Sequence, residues 1–219
     1  AVENINDAPI FTSVADTTAT EDVNYIYSVT ADDVDAGDEL VITASTIPEW
    51  LQLVDNGDGT GELSGTPENA DVGGHGVVLR VTDGSEAFEV QSFIITVENT
   101  NDAPVFTSEA ITEATEDEEY SYTVIAEDVD IGDEIVLSTV LLPSWLSFVD
   151  NGDGTGELSG TPENADVGDH QVELLVTDID GATGTQNFTV TVENTNDAPF
   201  FTSEEDTTAT EDVNYIYSV

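Results

Sequence analysis

The sequence has no cysteine, no methionine and no lysine, and its only basic residue is Arg80. Without cysteine there is neither a disulfide to hold the fold nor a thiolate to drive chemistry. An exported protein without disulfides must draw rigidity from elsewhere, and bound metal is the obvious source. Against that single cation stand 48 aspartates and glutamates, for a net charge of −47. Nucleic acid and anionic membrane surfaces are poor partners for such a chain. It repels itself unless cations are bound or concentrated around it. No apolar run approaches the roughly 20 residues that span a bilayer, so no membrane insertion is expected. No secretion signal is visible either.

What is present is a repeat. Asn6-Asp7-Ala8-Pro9 returns as Asn101-Asp102-Ala103-Pro104 and as Asn196-Asp197-Ala198-Pro199, 95 residues apart each time. Residues 6–100 and 101–195 align without a gap and agree at about 60 of 95 positions. A period of this size suits a string of small domains, each able to bury a modest core. The expected organisation is the end of a preceding repeat at 1–5, repeats at 6–100 and 101–195, and the start of a third at 196–219. On this reading the sequence is a window on a longer array.

Tyr25-Ile26-Tyr27-Ser28-Val29, Val77-Val78-Leu79-Arg80-Val81 and Phe93-Ile94-Ile95-Thr96-Val97 alternate with period two, as half-buried strands do. In the second repeat, strands are expected over 105–108 with 111–115 as a split first strand, then 120–126, 134–140, 146–149, 155–159, 170–177 and 186–193. Residues 163–167 suit one tight turn. Seven short strands predict an all-β chain of tandem seven-stranded Greek-key β-sandwiches. The outward strand positions are mostly Ser and Thr, with only occasional acids such as Glu173, and the acids crowd the connections. Examples are Glu116-Asp117-Glu118-Glu119 and Glu127-Asp128-Val129-Asp130. That clustering favours ion ligation over a general acidic coat.

Leu142-Pro143-Ser144-Trp145-Leu146, then Gly156-Glu157-Leu158-Ser159-Gly160-Thr161-Pro162 and Asn164-Ala165-Asp166-Val167-Gly168, resemble the dystroglycan-type cadherin-like family, whose bacterial members are grouped with immunoglobulin-like domains. The first repeat carries Ile47-Pro48-Glu49-Trp50-Leu51 in the same place. The resemblance covers essentially the whole chain. It implies a cadherin-like sandwich in large surface or secreted proteins, with adhesive or sugar-binding roles and calcium in the junctions.

Calcium takes six to eight oxygen ligands in irregular geometry. Asp128 and Asp130, at i and i+2 of an extended segment, project to one side and can share an ion. By the resemblance they lie in a loop at one end of a domain, where Asp178 arrives too. The linker Glu98-Asn99-Thr100-Asn101-Asp102-Ala103-Pro104 resembles a cadherin junction. The expected cage therefore gathers Glu21, Asp22, Asp71, Glu98, Asn101, Asp102, Asp128, Asp130 and Asp178, with further oxygens from Asn99 and Asp133. A matching partial set holds Glu116, Asp117, Asp166, Glu193, Asn196 and Asp197. A third holds Glu3, Asn6, Asp7, Asp33, Asp35 and Asp83. Carboxylates within about 5 Å repel by about 1–3 kcal/mol per pair, and a divalent ion reverses that sign. The family's acidic-Arg-Glu motif is absent, and Pro67-Glu68-Asn69-Ala70-Asp71 stands in its place, which leaves the number of ions per junction open.

Other features have plainer explanations. Asp150-Asn151-Gly152-Asp153-Gly154 starts like an EF-hand loop, but no glutamate occupies its twelfth position and the sequence reads as a hairpin turn. Trp50 and Trp145 suit core or rim packing better than sugar stacking. His75 and His170 read as strand-entry residues. No nucleophile–base arrangement or phosphate-binding loop appears, so no enzyme activity is expected. The leading expectation is a calcium-rigidified spacer in a large bacterial extracellular adhesin or surface fibre. Its partners are neighbouring repeats joined through Ca2+. The alternatives are a carbohydrate-binding accessory module of a secreted polysaccharide-degrading enzyme, taking a surface glycan, and a homophilic module pairing like chains in a filament.

Overall fold

The computed structural model describes residues 5–35 and 37–219. Glu3 lies outside the described residues, so its expected place in a metal set has no structural counterpart here. In the first repeat the strands are β1 (Ile10–Phe11), β2 (Thr18–Thr20), β3 (Tyr25–Asp32), β4 (Val41–Thr46), β5 (Gln52–Asp55), β6 (Thr60–Gly65), β7 (Gly73–Thr82) and β8 (Phe88–Glu98). The second repeat follows with β9 (Val105–Phe106), β10 (Glu113–Thr115), β11 (Tyr120–Glu127), β12 (Val136–Leu141), β13 (Leu146–Asp150), β14 (Thr155–Gly160), β15 (Gly168–Thr177) and β16 (Thr183–Glu193).

Each repeat forms two four-stranded sheets. In the first they run β1-β3-β6-β5 and β2-β8-β7-β4; in the second, β9-β11-β14-β13 and β10-β16-β15-β12. β1 and β2 are halves of one first strand that changes sheets, which gives the seven-stranded all-β sandwich expected. The second half pairs parallel to the last strand, Ala19 opposite Val97. The tight turn forms as a 3-10 turn at Asn164–Asp166, with its twin at Asn69–Asp71.

Alternation places the core. Along β11 burial switches strictly at every residue, with Tyr120, Tyr122, Val124 and Ala126 inside. Val29, Leu63, Leu79, Val81 and Ile95 are fully buried in the first repeat. Each such side chain contributes about 1.5–3 kcal/mol of transfer free energy. The buried tyrosines keep their hydroxyls bonded, Tyr25 donating to the Asp16 carbonyl at 2.6 Å and Tyr27 meeting Ser13 at 2.7 Å. Burial pushes the Tyr25 and Tyr120 hydroxyls well above the usual phenol range. The Asp150–Gly154 segment is the hairpin turn between β13 and β14. Asp150 Oδ1 accepts the Gly152 N–H at 2.9 Å, and Gly152 and Gly154 sit at φ 76° and 79°.

Trp50 packs against the first core, edge-on to Tyr25 and His75, and Trp145 repeats the arrangement with Tyr120 and His170. His75 Nε2 lies 2.6 Å from the Asp71 carbonyl, a packing role at strand entry.

The chain divides into two compact units. The first runs to Pro104 and takes in Asp128–Glu134 and Asp178–Ala182; the second holds the remainder.

Candidate metal centre

The first unit gathers acids from four stretches of chain at one site. Glu21 follows β2. Its backbone N–H donates to the Glu98 carbonyl at 3.0 Å, and its Oε2 accepts the Thr100 N–H at 3.1 Å. These bonds hold a carboxylate that is only 1% exposed. The linker supplies Asn101 and Asp102. Asn101 Nδ2 donates to Asp178 Oδ2 at 2.9 Å, and the Asp102 N–H donates to Asp130 Oδ2 at 2.8 Å. Asp128 turns the loop after β11 by accepting the Asp130 N–H on Oδ1 at 3.0 Å. Asp178 is fixed by the Gly181 and Ala182 N–H groups at 2.6 and 2.8 Å.

Two overlapping carboxylate triads result: Glu21, Asp102 and Asp130, and Asp128, Asp130 and Asp133. In each, one oxygen per residue lies within 4.8 Å of the others. Asp130 belongs to both and is buried. The electrostatics match this crowding. Burial pushes the Asp133 carboxyl above its ordinary range, and the negative charges of Asp128, Asp130, Asp180 and Asp178 push it further. Asp178 moves the other way, lowered first by its hydrogen bond from Asn101.

Asp128 Oδ2 and Asp133 Oδ2 are buried without a hydrogen-bond partner. A buried carboxylate oxygen left unpaired is costly, and a cation is the partner that would satisfy two at once. The donors are all hard oxygens in irregular array, a set that suits Ca2+ better than the strict octahedron of Mg2+. The residues present therefore fit the ion that the sequence implied.

The same pattern recurs at the start of the unit. Asn6 Nδ2 donates to Asp83 Oδ2 at 2.9 Å, and the Asp7 N–H donates to Asp35 Oδ2 at 2.7 Å. Asp33, Asp35 and Asp38 form a third triad, in which Asp33 Oδ2 is again buried and unpaired. In the second unit Glu116 is 1% exposed; its Oε2 accepts the Thr195 N–H at 3.0 Å, and its Oε1 is buried without a partner. Glu193 offers its carbonyl to the Glu116 N–H, while Asn196 and Asp197 are exposed.

Several expected ligands stand apart from these groups. Asp71 and Asp166 cap their own 3-10 turns, each accepting the N–H of Glu68 or Glu163. Asp22 and Asp117 are exposed, at φ 57° and 63°. Glu98 and Asn99 are exposed too, although Asn99 lines a small hollow with Asn69, Asp130 and Asp133. Two participants carried no clear signal in sequence. Asn69 Nδ2 donates to Asp130 Oδ1 at 2.9 Å, and Thr100 braces Glu21. Asp38 was legible as the counterpart of Asp133, 95 residues earlier.

A family described as "Putative Ig domain" matches residues 8–98 and 103–193. No curated protein matches significantly. Among solved structures, PcdhgB3 EC1-4 is similar at 18% identity and TM-score 0.63, over 86% of this chain and 50% of that one. Protocadherin Gamma B2 extracellular cadherin domains 1-5 is similar at 19% and 0.61, over 88% and 40%. These likenesses show the fold. The endo-fucoidan hydrolase MfFcnA4 from glycoside hydrolase family 107 is 28% identical at a TM-score of 0.41, over 86% and 29%, too low a score to carry an argument. The chain thus spans half or less of the length of each.

Proposed function

This chain belongs to the Putative Ig domain family, and on that premise we propose that it is a calcium-stiffened spacer segment of a bacterial extracellular adhesin or surface fibre. The observation that carries the reading is the pair of triads sharing Asp130, with the Asp128 and Asp133 oxygens buried and unpaired. Calcium, when bound, supplies the positive charge that turns this mutual repulsion into attraction. The chain's own residues do the rest. Glu21 and Asp102 present oxygens from the first repeat and linker, and Asp128, Asp130 and Asp133 present them from the loop that follows β11. An ion held by both sets ties that loop to the first sandwich. Stiffness is then a property of ion occupancy, and the reading assigns the chain no catalytic step.

Sugar stacking through Trp50 or Trp145 gains no support, because both rings are engaged edge-on by a tyrosine and a histidine.

Thermal unfolding of chelator-stripped protein during calcium titration tests the proposal, with magnesium and sodium at matched ionic strength as controls. A saturable rise specific to calcium is expected, about 2.7 kcal/mol at a hundredfold excess over Kd for one site. It should vanish in Asp128→Ala/Asp130→Ala. Equal stabilisation by all three salts would overturn the reading.

A further inference from the structure

The outer face of β4, β7 and β8 departs from the rest of this acidic chain. Strand pairing brings Val41, Val78, Arg80, Phe88, Val90 and Ile94 onto it. Four of these are substantially exposed, Ile94 by 62% and Phe88 by 51%. The remaining outward residues of these strands are Thr, Ser and Gly, except Glu98 at the far end of β8, so the centre of the face around Arg80 holds no carboxylate. At its centre Arg80, the one basic residue of the chain, lies over the Phe88 ring at 3.9 Å with its Nε buried and lacking a hydrogen-bond partner.

The corresponding face in the second unit, built from β12, β15 and β16, has a complementary composition. Leu175 stands where the first repeat has Arg80, and Thr183, Thr185 and Thr189 replace Phe88, Val90 and Ile94. Glu173 replaces Val78, in a shallow hollow also lined by Leu141, Gln171, Asn187 and Thr189. Exposure alone does not account for this divergence. Outward residues of β6 are identical in β14: Thr60 and Thr155, Glu62 and Glu157, Ser64 and Ser159. The inward residues beneath the diverged face are kept as well, including Val77, Leu79 and Val81 as Val172, Leu174 and Val176.

We propose that the β4–β7–β8 face of one copy of this chain packs on the β12–β15–β16 face of a second copy, with Arg80 set against Glu173. Both are broad sheet faces, which pack about 10 Å apart with side chains interleaved. Arg80, laid on its Phe88 platform, is the preorganised cation, and the hollow around Glu173 is the matching acidic recess. Two molecules of this charge repel wherever their acids meet. A face whose only carboxylate, Glu98, lies at its far end opposes few acids within a screening length of about 8 Å. The Arg80 guanidinium, whose Nε lacks a partner within the chain, then gains a carboxylate acceptor. A single contact of this size is weak, and tandem copies multiply it. Lateral association would thus reside on the sheet faces, separately from the acid clusters.

Sedimentation velocity over a concentration series, in calcium and in chelator, tests the proposal. Reversible self-association is expected for the parent chain. Arg80→Glu and Glu173→Arg should each weaken it at least about tenfold, and the double variant Arg80→Glu/Glu173→Arg should restore it. Ile94→Glu, at the most exposed apolar position, should weaken it likewise and decides the matter should a charge reversal misfold. Monomers at every concentration would overturn the proposal, as would association that the double reversal fails to restore. Because each arm is run with and without calcium, the outcome is independent of the spacer reading.

Discussion

Asn69 donates from its side-chain amide to the carboxylate of Asp130 at 2.9 Å, across 61 residues of sequence. Asp130 is the residue shared by both acidic triads, so this neutral amide orients the most crowded carboxylate of the site. Asp71, two residues further on, caps its own turn instead. Asn69→Ala should therefore cost about 1 kcal/mol in the calcium-loaded protein and weaken calcium affinity several-fold. Asp71→Asn should leave that affinity nearly unchanged. Isothermal titration of the two variants beside the parent checks the order; a larger loss from Asp71→Asn would refute it.

Asp133 should behave with opposite sign in the two ionic states. Without calcium, burial and four neighbouring aspartates oppose its negative charge. Removing that charge by Asp133→Asn should then raise Tm. With calcium bound the same charge faces a divalent cation, and the substitution should lower Tm and calcium affinity. Differential scanning calorimetry in chelator and in excess calcium shows whether the sign changes. A shift of the same sign in both would remove Asp133 from the site.

Much of this architecture was legible in sequence because period-two alternation is imposed by the pleat itself. Tyr25, Tyr27 and Val29 had to face one way, and they do. The acids of the loop after β11 were legible because Asp128 and Asp130 sit two apart next to a strand end. Asn69 was not, since an amide in a turn carries no charge signal and its partner lies 61 residues away. Asp71's bond to the Glu68 N–H was not legible either, because it appears only once the turn closes. The Arg80–Phe88 stack depends on the β7–β8 register, which places Phe88 opposite Thr82. Neither residue announces the other.

Gly160 tests the packing between strands. A Cβ built there would run into the carbonyl oxygen of Trp145, and Gly65 stands in the same relation to Trp50. Backbone on neighbouring strands cannot yield as a side-chain tip can. Gly160→Ala should destabilise by about 2–4 kcal/mol. Gly76→Ala, which meets nothing within 4 Å, should be close to neutral. Urea denaturation of the two variants gives the comparison, and equal midpoints would contradict the close approach.

The pH dependence of the chelated protein should peak below neutrality. Burial raises the Asp38 and Asp133 carboxyls, and the acids around them raise both further. A carboxyl whose folded pKa exceeds its unfolded value binds protons more tightly in the folded state. Its favourable contribution is full below the unfolded pKa and is lost as pH rises through the folded one. Asp58 and Asp153 act in reverse. Hydrogen bonds from the Thr60 and Thr155 hydroxyls hold them below the usual range, so their contribution is present above the unfolded pKa and lost as pH falls through the folded one. In chelator, mild acidification from neutrality should therefore raise the urea midpoint, until deeper acidification protonates the hairpin aspartates and lowers it. Excess calcium should abolish the rise, because protons then compete with the ion for the same oxygens. A chelated midpoint that falls steadily from neutrality would mean that the crowding of Asp133 costs the folded state nothing, and would remove the electrostatic reason for an ion there.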